Sequence, residues 1–429
     1  MQGIALRARK AAARLGIAPT GQKNRALWEM AAHLKKDAGK IAAANKKDLD
    51  AARKKGMKPA LIDRLALDKA RIEKIASELE EVIALNDPVS ETLEEWKQKD
   101  GLLIRKVRVP FGVVGIVFES RPNITVDASA LCLKSGNAVI LRGGSDAINS
   151  NIAIADSLRA ALEKAGLPKD CIQAIHSTDR GLVGEMLRAH GLIDLIIPRG
   201  GSSLISFVVQ NATVPVIETG AGNCHCFVDE SADLEKAVAI VVNAKCQRPG
   251  TCNAIETLLV HEKVSEKFLP LAAKALQENK VELRADKRAK EILEKSNFKG
   301  VKAATGDDWK TEFLDLILAV KTVKNIEEAI SHINRHGTMH SEAILSQNKE
   351  SIEKFMRQVD AACVYSNAST RFTDGNQFGL GMEIGISNQK LHARGPMGLC
   401  ELCSYKYMIA GNGQVRKLKS DFKHFLERE

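Results

Sequence analysis

From Pro110 onward the chain alternates short, wholly apolar runs with longer stretches whose apolar residues recur at helical spacing. Residues 113–118 make the first run, a helical period follows at about 126–134, and residues 138–141 make the next run. The pattern continues with a helix at about 150–164, a run at 172–175, a helix at 183–189 and a run at 192–197. Runs this short and apolar predict strands buried on both faces, and their alternation with helices predicts a parallel sheet covered on each side. A second series has runs at 255–260, 281–283, 317–323 and 343–345, separated by helical periods at 265–278, 287–296 and 326–335. The chain therefore reads as α/β with two parallel-sheet lobes, and a ligand cleft is expected where the lobes meet.

Before Pro110 the pattern is different. Residues 1 to about 97 are rich in Ala, Leu, Lys and Glu and read as a helical preface, with breaks at 16–20, 56–59 and 86–88. Residues 102–109 alternate around Arg105, Lys106 and Arg108 and predict an edge strand or the arm of a hairpin.

Composition narrows the function classes. Hydrophobic residues at 45% and charged residues at 27% are those of a globular protein, and 429 residues suffice for two or three domains. Aromatic residues make up only 4%, which argues against stacking platforms for single-stranded nucleic acid. The net charge of +10 is concentrated in the first 75 positions and in the tail after Lys406. Those segments read as solvated helix faces, no nucleic-acid motif accompanies them, and no nucleic-acid partner is expected. A mildly positive field would instead draw in a small anionic substrate. Residues 1–28 are basic and lack acids, as a mitochondrial presequence does, but they lack Ser as well, so a basic surface helix is expected. No apolar run nears the ~20 residues of a membrane helix. A cytoplasmic protein without membrane contact is the expectation.

The nine cysteines read as reduced thiols. Cys224-His225-Cys226 and the pair Cys400 and Cys403 have zinc-ligand chemistry but poor zinc spacing, so no metal is expected.

Cys252 stands apart from the others. It falls between a helical period at 233–245 and the apolar run 255–260, just after Pro249-Gly250, so it is expected on a helix-to-strand turn. A turn can present a sulfur that a helix or strand would bury, and the neighbouring Arg248 would favour the thiolate. A small core thiol is the alternative reading. There is no GxGxxG, but Arg199-Gly200-Gly201-Ser202 follows the run 192–197, and glycines opening a helix leave N–H groups for a phosphate. Asn123 and Glu218 also lie just past predicted strands, where sites on open α/β sheets collect. Asn123 could stabilise an oxyanion or simply form a turn.

Six segments, 109–123, 135–144, 197–202, 218–225, 247–257 and 392–398, together resemble the aldehyde dehydrogenase superfamily, in particular its branch that reduces an acyl phosphate. The resemblance covers essentially the whole chain. It implies NADPH-dependent reduction of L-glutamate 5-phosphate to L-glutamate 5-semialdehyde and phosphate, a step of proline synthesis, with functional coupling to glutamate 5-kinase. By position it makes Cys252 the nucleophile, Asn123 the oxyanion donor and Glu218 the counterpart of a general base. It makes Arg142, Gly200, Gly201, Ser202 and Glu312 cofactor residues. Arg248, His225 and Arg394 become candidates for the substrate's phosphate or α-carboxylate, since cations suit both, with surface ion pairing an equally good account of each. The implied domains are an NADP-binding domain at 1–226, to which 361–378 returns, a catalytic domain at 227–360, and a C-terminal segment at 379–429. Residues 98–109 and those after Cys400 would form an oligomerisation arm, implying a homo-oligomer. A hydrolytic aldehyde dehydrogenase using Glu218 to activate water is the competing enzyme reading, and a basic binding protein that kept only the scaffold is the third.

Overall fold

The computed structural model describes residues 1–416. The expected tail beyond Lys406 and the end of the 379–429 segment fall in part on residues 417–429, outside the described residues.

The strands Ile172–Ala174, Ala138–Gly143, Val113–Phe118 and Leu195–Arg199 lie side by side in that order as a parallel sheet. Strand alternation assigns their side chains to two cores. Val114, Ile116 and Phe118 point into one core with Val139 and Leu141, while Val113 and Val117 point into the other with Ala138 and Ile140. The second core is closed by the first helix, Gln2–Leu15, through Ala5, Ala8 and Ala12. That helix turns its arginines outward, as a basic surface helix should.

The other lobe is a seven-stranded parallel sheet in the order Lys302–Ala303, Glu282–Ala285, Ile317–Val323, Ile255–His261, Cys224–Val228, Ser341–Leu345 and Cys363–Ser366. Two of these strands correct the expected boundaries. Cys224–Val228 straddles residue 226 as an interior strand of this sheet, pairing with both Ile255–His261 and Ser341–Leu345. Cys363–Ser366, expected to return to the first lobe, pairs parallel with Ser341–Leu345 instead. Both strands are short and carry polar or sulfur side chains, so their pairing rather than their apolarity makes them strands.

The helical preface also ends earlier than its composition suggests. Helices run to Ala84, but Thr92–Lys97 is a strand, antiparallel to Leu103–Pro110. Its apolar Leu93 and Trp96 are spaced as on a helix, and only the hairpin closed at Asp100-Gly101 gives them a sheet partner. Cys403–Ala410 adds to the other side of Leu103–Pro110 to complete a three-stranded antiparallel sheet. Among the described residues no helix is long and apolar enough to cross a membrane.

Candidate active site

The helix Leu234–Cys246 starts with the Asp233 carboxylate accepting the Lys236 N–H, and its exit is tied to the strand that follows. Lys245, in its last turn, donates to Glu256 of the strand Ile255–His261 over 2.5 Å, and both side chains are fully buried. The residues between are thereby gathered into a turn with Cys252 near its crest. Within it Thr251 Oγ1 donates to the Arg248 carbonyl at 2.8 Å. Asn253 Nδ2 donates to the Thr373 carbonyl at 2.8 Å, and its own carbonyl accepts from Thr370 Oγ1 at 2.6 Å.

Beneath the turn runs Glu218-Thr-Gly-Ala-Gly-Asn223. A Cβ on Gly222 would overlap the Cys252 carbonyl, so only glycine allows this approach. The Gly222 N–H donates to Glu312 Oε1 at 2.7 Å, and the Leu314 N–H, two residues further along, donates to Glu256 Oε1 at 3.1 Å. Glu256 thus braces both the cysteine turn and the loop that carries Glu312.

Cys252 is half-buried, and burial pushes its thiol up to about 11. The cation that opposes this most is Arg199, with Glu312 and Glu383 adding to the upward push. Arg248 was expected to lower the thiol, but the largest opposing charge is that of Arg199 rather than of this neighbour in sequence. Arg199 reaches it from the end of the strand Leu195–Arg199.

Guanidiniums crowd this cleft. Arg121 is held below its ordinary range by desolvation, then by Arg199 and Arg64, with Arg248 contributing, while Cys252 acts in the opposite sense. Arg371 is lowered by burial and by Arg248, and it is hydrogen-bonded to the side chains of Gln247 and Asn253. Among the described residues, none of Arg64, Arg121, Arg199 or Arg248 forms an ion pair.

The other expected site residues are dispersed around this centre. Asn123 is half-buried, and its Nδ2 donates to Asp127 Oδ2 at 2.8 Å. Glu218 is half-buried, its backbone N–H donating to Gln389 Oε1 at 3.0 Å. His225 is wholly buried, with its N–H and Nδ1 both directed at Glu342 Oε2, at 2.6 and 3.0 Å. Burial holds its imidazole down at about 3, so it is neutral and has no charge to offer an anion. Arg394 is paired with Asp360 at 2.8 Å. Of the three expected anion binders, only Arg248 has no side-chain hydrogen bond or ion pair among the described residues.

Arg142 is the penultimate residue of the strand Ala138–Gly143 and is buried. It donates to the carbonyls of Gly143 and Thr178, leaving its Nε without a partner and Arg180 as a repelling neighbour. Gly200, Gly201 and Ser202 join the strand Leu195–Arg199 to the helix Ser202–Asn211. Their N–H groups are not all free, because the Gly201 N–H donates to Glu119 Oε2 at 2.9 Å.

Sequence reasoning missed Arg121, Arg199, Asp127 and Glu383. A signal existed for the first two, since both sit at or just past the carboxyl ends of parallel strands. Nothing local marked Asp127, on the first turn of the helix Ile124–Lys134, or Glu383, on an irregular segment. All nine cysteines are free thiols. Among the described residues no group of three or more His, Cys, Asp or Glu is arranged to hold a metal ion.

Two parallel-sheet lobes meeting at a turn-borne cysteine are the frame of an aldehyde dehydrogenase. The aldehyde dehydrogenase family model matches residues 3–307 and 306–390, and the chain belongs to that family. Its relatives are more particular. Gamma-glutamyl phosphate reductase from Caldanaerobacter subterraneus subsp. tengcongensis is 56% identical over 413 residues, covering 96% of this chain and 99% of the relative. The protein of that name from Thermoanaerobacter pseudethanolicus is 57% identical with the same coverage. The crystal structure of gamma-glutamyl phosphate reductase from Thermotoga maritima superposes with a TM-score of 0.94 at 52% identity, covering 97% of this chain and 99% of that one. An acetylating aldehyde dehydrogenase from Geobacillus thermoglucosidasius, at 19% identity and a TM-score of 0.69 over 97% of both chains, shares the fold.

Proposed function

We propose that the protein reduces L-glutamate 5-phosphate to L-glutamate 5-semialdehyde and phosphate with NADPH, through a thioester on Cys252. The observation that carries this reading is a set of guanidiniums without an ion pair among the described residues, with Arg121 and Arg199 in charge range of a desolvated thiol and Arg64 and Arg248 in charge range of Arg121. Such a cleft attracts an acyl group bearing a phosphate far better than a neutral aldehyde. The names of the relatives at more than half identity support the same substrate.

In the first stage the Cys252 thiolate attacks the acyl carbon, and the C–O bond to phosphate breaks as the C–S bond forms. Guanidiniums at the cleft compensate the charge leaving with the phosphate. The carbonyl oxygen, negative during attack, is met by Asn123, which has a second amide hydrogen besides the one given to Asp127, and by the Cys252 backbone N–H. When bound, NADPH would supply a hydride to the thioester carbon, and collapse of the resulting thiohemiacetal anion would break the C–S bond, freeing the aldehyde and returning Cys252 as its thiolate. The residues suit this cofactor. A glycine turn opens a helix at the carboxyl edge of a parallel sheet, and Arg142 with Arg180 offers two cations to a phosphate. Glu312 would hold the nicotinamide ribose. With phosphate leaving rather than water attacking, Glu218 has no deacylation to perform. A homo-oligomer and functional coupling to glutamate 5-kinase belong to the same reading.

The test is to follow NADPH absorbance with L-glutamate 5-semialdehyde and NADP, with and without inorganic phosphate. Reduction of NADP that requires phosphate is expected. A steady rate without phosphate would overturn the reading in favour of a hydrolytic enzyme.

A further inference from the structure

Around Arg199 the cleft changes character. Arg121 has Arg199, Arg64 and Arg248 as like-charged neighbours, whereas Arg199 itself feels, after burial and the Cys252 sulfur, the carboxylates of Glu383 and Asp127. These three groups come from separate parts of the chain. Arg199 ends a strand of the first sheet, Asp127 lies on the helix Ile124–Lys134, and Glu383 lies on the C-terminal segment, next to Ile384 in the first core. Arg199 is pressed against Gly385, where a Cβ would collide with its guanidinium. Yet among the described residues it makes no ion pair and no side-chain hydrogen bond.

The two carboxylates are equally underused. Asp127 Oδ2 accepts from Asn123 Nδ2, but its Oδ1 is buried with no partner at all. Glu383 Oε2 accepts one backbone N–H, from Gly375 at 2.9 Å, and among the described residues no cation pairs with it. A buried polar atom without a partner costs free energy that a ligand can recover. An unpaired cation flanked by two unpaired carboxylates, beside a nucleophile, complements a ligand that carries both signs close together.

We propose that Arg199, Asp127 and Glu383 form a head-group site for an α-amino acid, the guanidinium taking the α-carboxylate and the two carboxylates taking the α-ammonium. The proposal rests on the functional reading above and deepens it, dividing the substrate between the all-cationic side of the cleft, for its phosphate, and this mixed-sign side, for its zwitterionic end. Three bonds separate the acyl carbon of a five-carbon substrate from its α-carbon, which is consistent with Arg199 and Glu383 both lying within charge range of Cys252. Burial pushes the carboxyls of Asp127 and Glu383 up to about 7 even though the Arg199 charge pulls both down, so an arriving ammonium would favour their ionised forms.

The test compares L-glutamate 5-semialdehyde with 5-oxopentanoate, the same acid without its amino group, each with NADP and phosphate. Asp127→Asn removes the charge while its amide oxygen can still accept from Asn123, so the oxyanion residue keeps its partner. The expected result is a KM for the amino substrate raised about 10- to 100-fold, the worth of a charged hydrogen bond, with kcat and the des-amino substrate little changed. Glu383→Gln should shift the same ratio in the same sense. Equal losses on both substrates, or an unchanged ratio, would overturn the head-group site. Calorimetry with L-glutamate and glutarate gives a reading that does not depend on turnover. A preference for L-glutamate that Asp127→Asn abolishes supports the site even if the phosphate-dependent reaction fails, and no preference in the unaltered protein refutes it.

Discussion

A thiol at about 11 is a poor nucleophile at neutral pH, and at Cys252 the cause is desolvation that nearby guanidiniums, Arg199 foremost, only partly offset. The sign of the consequence is definite. Below that value the thiolate fraction grows with pH, so alkylation of Cys252 by iodoacetamide should rise about tenfold per pH unit from pH 7 to pH 9, as followed on its own peptide by mass spectrometry. A plateau below pH 8 would mean that the thiol is activated in the free protein. Cys252→Ala should abolish reduction, while Cys246→Ala, whose half-buried sulfur ends the preceding helix, should stay active. At this scale the nucleophile was legible because Pro249-Gly250 and the flanking patterns put a cysteine on a turn. Its charge environment was not, because Arg199, Glu312 and Glu383 are distant in sequence and meet the sulfur only in the fold.

The element that presents the cysteine is held by a buried ion pair. Replacing such a pair by apolar groups is often harmless, whereas removing one partner strands a charge. Lys245→Met should therefore destabilise the protein by about 3–5 kcal/mol, and Lys245→Met with Glu256→Leu should recover most of that loss, as measured by urea unfolding. If the double variant were as unstable as the single one, Glu256 would matter through its Leu314 hydrogen bond rather than through Lys245. Elements with long or strongly apolar patterns were legible, among them Val113–Phe118, Ile148–Lys164 and Ile317–Val323. Thr92–Lys97, Cys224–Val228 and Cys363–Ser366 were not, since each is a strand by virtue of its neighbour.

At the scale of the whole molecule, the three-stranded sheet stands out because one of its edge strands, Cys403–Ala410, is exposed on both faces. Tyr405, Tyr407, Met408 and Ile409 follow one another with about half or more of their surface open. An apolar edge strand with unpaired backbone groups invites another strand or sheet. A second copy of the chain is the expected partner, so Ile409→Asp should lower the mass found by sedimentation equilibrium while leaving the melting of the lobes intact. An unchanged mass would remove the arm from any assembly.

What the sequence determined by itself was the alternation of strands and helices, the turn that presents Cys252 and the glycine turn after Leu195–Arg199. Each of these depends on residues adjacent in the chain, where periodicity and backbone preference act directly. Only the tertiary structure decided which strands pair, which charges reach the thiol, and that His225 and Arg394 are occupied by Glu342 and Asp360. Charges and pairings act through space, and the distances that govern them exist only once the chain has folded.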